Sequence, residues 1–290
     1  MSFRSLEEII LQCDKQQKPF WEIILEEDME ERMVTATESI EKMEQLYLAM
    51  KHADEVYDER LKSASNLVGG DGARMNQAMV ENKTLSGPFI SEVIAKALKM
   101  GESNACMKKI VAAPTAGSCG VIPAVLLSYE EKYQASRQRM IEALYVASGI
   151  GEVIAARAFL AGAAGGCQAE IGSASAMAAG ALTYLNGGNQ ENIAHAAAMS
   201  LKNLLGLVCD TVGGLVEVPC VKRNVVGAVN AIASADMAVA GIRSQIPPDE
   251  VIDAMRDIGE VLPRSLRETG EGGLAATPTG QEIMNRLIKQ

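Results

Sequence analysis

The sequence predicts an all-α protein, on three observations. No stretch alternates polar and apolar residues over several positions as a half-buried strand does. Apolar residues recur instead at helical spacing, three and four apart, in segment after segment. The chain is 48% hydrophobic but only 4% aromatic, so its interior must be built from Ala, Val, Ile, Leu and Met. Small residues let helices pack closely, and 26 glycines supply breaks between short helices. At 290 residues the chain can bury a large core, as one domain or two.

The elements follow in order. Ser5-Leu6-Glu7-Glu8 has the capping-box pattern, and Leu6, Ile9, Ile10 and Cys13 then recur on one helix face, which makes Cys13 a core residue. A second helix opens near Pro19, a good first-turn residue, and carries Trp21, Ile24 and Leu25. From Met29 to about Lys62 the chain is charged and free of glycine and proline, which predicts one or two long amphipathic helices. Residues 1–60 hold 16 acidic and 7 basic side chains, so most of the net charge of −10 sits there as a solvated face. That balance argues against a nucleic-acid partner. Leu67–Gly72 then breaks the helical run, dividing an acidic N-terminal helical segment (1–66) from a helical domain (67–290).

Thr84-Leu85-Ser86-Gly87-Pro88 opens a helix through Lys99. Ala112–Gly120 places Thr115, Gly117, Ser118 and Gly120 just before an apolar run. Such a loop is either an ordinary connector or a cradle of backbone N–H groups for an anion. Two short helices are expected between Arg137 and Gly166, one from Gln138 to about Ala147 and one over Glu152–Ala161, broken by Ser148-Gly149-Ile150-Gly151. Arg157 is expected to pair with Glu152 or Glu170. An apolar run covers Ile171–Leu185, and an amphipathic helix over Glu191–Leu205 carries His195, which reads as a satisfied side chain rather than a catalyst. A helical run continues from Cys220 through Ile242, Asp249 starts another through Val261, and Leu266–Gly280 is rich in glycine and threonine.

No secretory signal is read, because MSFRSLEEII turns acidic before an apolar core can form. The uncharged stretches Val111–Tyr129 and Ile171–Gln190 are too polar or too broken for membrane spans. The expectation is a soluble cytoplasmic protein with reduced thiols and no membrane partner. Cys167, Cys209 and Cys220 each lie at a break between helices, and two of the three begin a helix, where the dipole and free N–H groups favour a thiolate. No CxxC pair is present. Spacing alone therefore leaves two readings open, a three-cysteine metal site or three separate buried thiols. Arg223, three residues after Cys220, suits a substrate carboxylate or the charge of a metal group.

The runs GCQAEIGSASAMAA from Gly166 and LGLVCDTVGGLVEVPCVKRN from Leu205 resemble the alpha chain of the iron–sulfur L-serine dehydratases. APTAGSCGVIPAVL at Ala113–Leu126 and LRETGEGGLAATPTG at Leu266–Gly280 resemble two further motifs of that family, in the same order. The resemblance covers about Leu67 to Gly280. It implies a [4Fe–4S] cluster on Cys167, Cys209 and Cys220, lyase chemistry on L-serine without pyridoxal phosphate, and substrate carboxylate binding by Thr115, Gly117 and Ser118. Cys106 and Cys119 then remain structural. It also implies that Gly272-Gly273-Leu274-Ala275 folds back toward the cluster instead of forming a flexible tail. Single-chain members end in a cysteine after this motif and carry a Ser-Ser-His-Thr-type motif; QEIMNRLIKQ has no cysteine and that second motif is absent. The chain therefore resembles the alpha subunit of the two-subunit type, working with a beta chain that is also a candidate source of the catalytic base. The competing readings are an L-cysteine desulfidase of related chemistry and a non-catalytic iron–sulfur subunit.

Overall fold

The computed structural model describes residues 3–289. The outermost positions of the two expected segments, residues 1–2 and 290, lie outside that range. Thirteen α-helices account for the fold of the described residues. They are α1 (Leu6–Gln16), α2 (Phe20–Arg32), α3 (Ala36–Glu55), α4 (Asp71–Val80), α5 (Gly87–Ala105), α6 (Val121–Tyr133), α7 (Arg137–Arg157), α8 (Gly162–Gly165), α9 (Ser173–Leu185), α10 (Gln190–Lys202), α11 (Cys220–Val239), α12 (Pro248–Val261) and α13 (Pro278–Ile288). The described residues contain no strand, and their one isolated bridge pairs Cys209 with Arg267. The all-α expectation holds. No helix among them is long and apolar enough to cross a membrane.

The centre is α9, SASAMAAGALTYL, whose residues are buried on every side except at Tyr184. It packs against α6, α7, α10 and α11. A helix apolar all round belongs in the middle of a protein, and the Ala and Ser side chains let four neighbours approach its backbone. The buried hydroxyls are used: Ser175 donates to the Gly227 carbonyl at 2.6 Å, and Asn230 donates to Ser175 and to Ser200, joining α9, α10 and α11. The N-terminal helices share this core, since Leu6, Ile9, Phe20, Ile24 and Tyr47 belong to the same buried cluster as Ile150, Ala178 and Met255.

Three local expectations are corrected. The charged run after Met29, expected as one or two helices reaching about Lys62, is two, and the second stops at Glu55. It breaks at Met33, which takes a left-handed conformation (φ 53°), and restarts at a capping box in which Thr35 and Glu38 bond reciprocally. The T-x-x-E pattern that signals this start was present in the sequence. Conversely, the expected break at Ser148–Gly151 is absent, and α7 runs unbroken for 21 residues. Two helix-interior glycines cost about 1 kcal/mol each in propensity, but they let neighbours in. A Cβ on Gly149 would stand 2.5 Å from Ile24 of α2, and one on Gly151 2.8 Å from Met177 of α9. Finally, Ser5 caps α1 by accepting from the Glu8 amide at 3.0 Å, yet Glu8 returns to Arg4 instead of Ser5. The carboxylate of Asp249, at the start of α12, takes the free amides of Leu6 and Glu7 at 2.9 and 3.1 Å.

Two predictions follow from this packing. A Cβ on Gly120, at the head of α6, would lie 2.7 Å from the Ala97 carbonyl and 3.0 Å from Asn224 Oδ1. Gly120→Ala is expected to lose about 1–3 kcal/mol to overpacking, seen as a lower urea midpoint at unchanged m. Glu27 on α2 is 6% exposed, and its Oε2 has no hydrogen-bond partner. Burial holds its carboxyl up at about 7, against the pull of the Phe3 amide. Its stabilising contribution is therefore complete below the ordinary value of 4.5 and is lost as pH rises through about 7. Glu27→Gln should match the parent in urea at pH 4.5 and exceed it at pH 8; a constant difference between the two would show that Glu27 does not titrate in this range.

Candidate active site

Three chain segments converge where the helices break. The first descends from α8 to Cys167 and a single π turn, Gln168–Gly172, that leads into α9. Gln168 anchors it: its amide donates to Leu207 at 2.9 Å, its side chain donates to Met255 at 3.0 Å, and the Gly206 amide donates to its side chain at 2.8 Å. These bonds also fix the second segment, which runs extended through Cys209. The Cys209 amide donates to Leu266 at 2.8 Å and its carbonyl accepts from Glu268 at 2.7 Å, so residues 266–268 pair with it through one isolated parallel bridge. The third segment places Cys220 at the first position of α11.

Cys167, Cys209 and Cys220 are 2%, 1% and 5% exposed, and none forms a disulfide. They lie near enough that ionising Cys167 would raise the pKa of both others. Burial is the larger cause of the rise, pushing Cys167 and Cys220 up to about 12 and Cys209 up as well. The Arg223 guanidinium opposes this at Cys167. Unligated, all three are neutral thiols at physiological pH. Among the described residues no group of three or more His, Cys, Asp or Glu is placed to hold a metal ion. Of the remaining cysteines, Cys13 is core, Cys106 is half-buried at the end of α5, and Cys119, next to Ser118, faces the Met100 carbonyl at 3.7 Å.

Arg223 is already engaged. It donates to the Val208 carbonyl at 2.7 Å and to Asp210 at 2.8 Å, on either side of Cys209. The second oxygen of Asp210 accepts the Leu274 amide at 2.9 Å. Residues 264–276 are thus folded against the Cys209 segment, and the chain then continues into α13, a helix not anticipated from the sequence.

The Thr115–Ser118 turn stands beside the thiols. It is a 3₁₀ turn over Ala116–Ser118 in which Thr115 Oγ1 and Ser118 Oγ lie 3.2 Å apart. Asn224 on α11 holds it, donating to the Gly117 carbonyl and accepting from the Gly120 amide, both at 2.8 Å. A turn of this kind leaves its first N–H groups without helical acceptors. Thr115 donates at 2.8 Å to Glu170, the acid on the π turn. Glu170 is 9% exposed, and burial, reinforced by Glu268, raises its carboxyl above the usual range despite the Thr115 bond. Its charge in turn raises all three thiols.

The residues expected at the site, Thr115, Gly117, Ser118, Arg223 and the three cysteines, are therefore brought into one region. Glu170, Asn224, Asp210 and Gln168 were missed. A signal for Glu170 existed, as it is the one charged residue between Arg157 and Glu191. Its expected pairing with Arg157 is corrected: Arg157 pairs with Asp253 at 2.5 Å and with Asp249 at 4.0 Å, because α7 delivers it to α12. His195 lies away from this region, its Nδ1 accepting from the Ser244 amide at 3.4 Å.

The family described as serine dehydratase alpha chain matches residues 15–275. The chain is 47% identical to a Bacillus subtilis protein named probable L-serine dehydratase, alpha chain, over 99% of this chain and 95% of that one. It is 41% identical to the L-serine dehydratase alpha chain of Peptoniphilus asaccharolyticus, over 98% and 97%. Against an L-serine dehydratase of Helicobacter pylori the identity is 35%, covering 95% of this chain but 62% of the longer relative.

Asp210 is the hinge of this architecture, so Asp210→Ala should cost about 3–5 kcal/mol, the scale for stripping one partner from a buried ion pair. Faster hydrogen exchange at Leu274 is expected alongside; unchanged exchange there would show that the tail docks without Asp210.

Proposed function

Because the chain belongs to the serine dehydratase alpha chain family, we propose that it deaminates L-serine to pyruvate and ammonium as one subunit of a two-chain enzyme. The observation that carries the reading is the convergence of three buried, unpaired thiols from three separate segments beside a hydroxyl-bearing turn. This donor set fits an iron–sulfur cluster. It is all sulfur, the ligand type such clusters take, and Arg223 lies beside it to offset negative charge. A cubane carries its thiolates on separate irons, so its ligands need not meet at one point as those of a single ion must.

Cys167, Cys209 and Cys220 would hold the [4Fe–4S] group. With three protein ligands, such a cluster supplies a Lewis acid for the departing β-hydroxyl. The protein's own part is positioning. The turn at Thr115, Gly117 and Ser118 receives the α-carboxylate on its free N–H groups, its hydroxyls being engaged with Glu170 and with each other. Asn224 keeps that turn in register with α11, and Arg223, next in sequence, brings a cation to the same region. Burial of α9 and of Gly162, Gly165, Cys220 and Asn224 around the site excludes water, which strengthens each of these contacts. Loss of the Cα proton and the hydroxyl yields water and aminoacrylate, which tautomerises and hydrolyses to pyruvate and ammonium. No pyridoxal phosphate is required.

We assign the Cα proton acceptor to the beta chain. Both histidines of this chain lie apart from the turn, His195 on α10 and His52 on α3. The chain also spans 62% of the longer Helicobacter relative, which leaves a substantial part of that protein without a counterpart here. A reducing compartment, the cytoplasm, is the setting in which three such thiols stay free.

Anaerobic purification with iron and sulfide analysis tests the reading. About four irons per chain are expected, with a visible spectrum that L-serine perturbs and turnover that requires the beta chain. Cys209→Ser should lose iron and activity together. An iron-free parent protein that still deaminates serine would overturn the assignment of the thiols.

A further inference from the structure

Glu170 is an anomaly that the reading above does not use. It is nine-tenths buried, yet among the described residues no cation pairs with it. Its neighbours are a hydroxyl, three thiols, the backbone of two glycines and, near enough to act through its charge, a second acid, Glu268. Thr115 donates to Oε1 at 2.8 Å. A Cβ on Gly117 would stand 2.9 Å from Oε1, and one on Gly162 would stand 2.7 Å from Oε2 and 3.0 Å from the Cys209 sulfur. Both glycines are thus needed to let the main chain close around this carboxylate. A buried carboxylate without a counter-charge is costly, so it either takes up a proton, as Glu27 does, or is answered by a cation.

We propose that the missing cation is the substrate: Glu170 binds the α-ammonium group of the amino acid and makes the site selective for amino acids over hydroxy acids. The inference rests on the serine reading above and deepens it. In an α-amino acid the ammonium and carboxylate share one carbon. A carboxylate seated on the Thr115–Ser118 turn therefore brings its ammonium within reach of the acid that Thr115 already touches. The turn and Glu170 together present complementary charges to a zwitterion, with the thiols beside them for the β-substituent. A site built to accept N–H bonds rejects an analogue that lacks them far more strongly than an apolar pocket rejects a misfit, because its acceptor is left unpaired.

L-Alanine and L-lactate differ at the α-substituent alone, ammonium against hydroxyl, and neither can lose a β-hydroxyl. Calorimetric titration of the anaerobically loaded two-chain protein is the experiment. The parent should bind L-alanine at least about tenfold more tightly than L-lactate, the scale of one hydrogen bond to a charged group. Glu170→Gln keeps the acceptor for Thr115 and should erase that preference, weakening L-alanine while leaving L-lactate unchanged. A purely structural role would weaken both ligands alike, and that outcome, or a parent without preference, overturns the proposal. Glu170→Asp keeps the charge and should retain a reduced preference; it carries the comparison if the Gln protein does not fold. Serine turnover is measured separately on the parent. Its absence, with the L-alanine preference intact, would count against the lyase reading and not against the ammonium site.

Discussion

The close approach of backbones around α9 is the constraint on which the rest of the molecule depends. Four helices reach it because it carries Ala, Ser and Gly where larger residues would hold them off. The same economy is repeated at Gly149 and Gly151, where α7 admits Ile24 and Met177, and at Gly120, where α6 meets α5. A core of this kind gains little area per residue and relies on dispersion contacts made at short range. It also leaves helix ends, rather than large side chains, free to define a site. Cys167 and Cys220 stand at such ends, and Cys209 stands on the extended link between α10 and α11.

What assembles around those ends is an electrostatic imbalance. Three thiols and Glu170 are buried together, and the guanidinium that reaches Cys167 and Cys220 already answers to Asp210. In the absence of further groups, burial keeps the thiols protonated and lifts the Glu170 carboxyl. Iron would answer the thiols, and an amino-acid ammonium would answer Glu170. The surrounding hydrogen bonds are spent on the backbone: Gln168, Asn224 and Asp210 each clamp two segments. They hold the geometry so that the groups with unmet charge need not hold it themselves, which is preorganisation in a physical sense.

Much of the fold was legible from the sequence because its causes are local. Helical periodicity, the absence of strand alternation and the small-residue composition act over a few residues, and they suffice for an all-α architecture with breaks near residues 112–120 and 206–219, whereas the first break opens at residue 56 and not at Leu67. The cysteine positions at those breaks were legible for the same reason, and so was the turn at Thr115–Ser118. The helix start at Thr35 was equally local and was simply overlooked.

Tertiary structure decided the remainder, and the common reason is that the deciding partner lies far along the chain. Gly149 and Gly151 continue a helix because α2 and α9 occupy the space they leave. Arg157 pairs with Asp253 and not with Glu152 or Glu170 because α7 carries it to α12. The glycine-rich segment after Leu266 is ordered because Asp210 binds Leu274 and Cys209 pairs with residues 266–268. Glu170 became a candidate ligand for substrate only when the fold showed it beside Thr115 and without a cation. The sequence by itself determined that the chain is helical and where most of its breaks fall; burial and long-range pairing decided which glycines interrupt a helix and which charges meet.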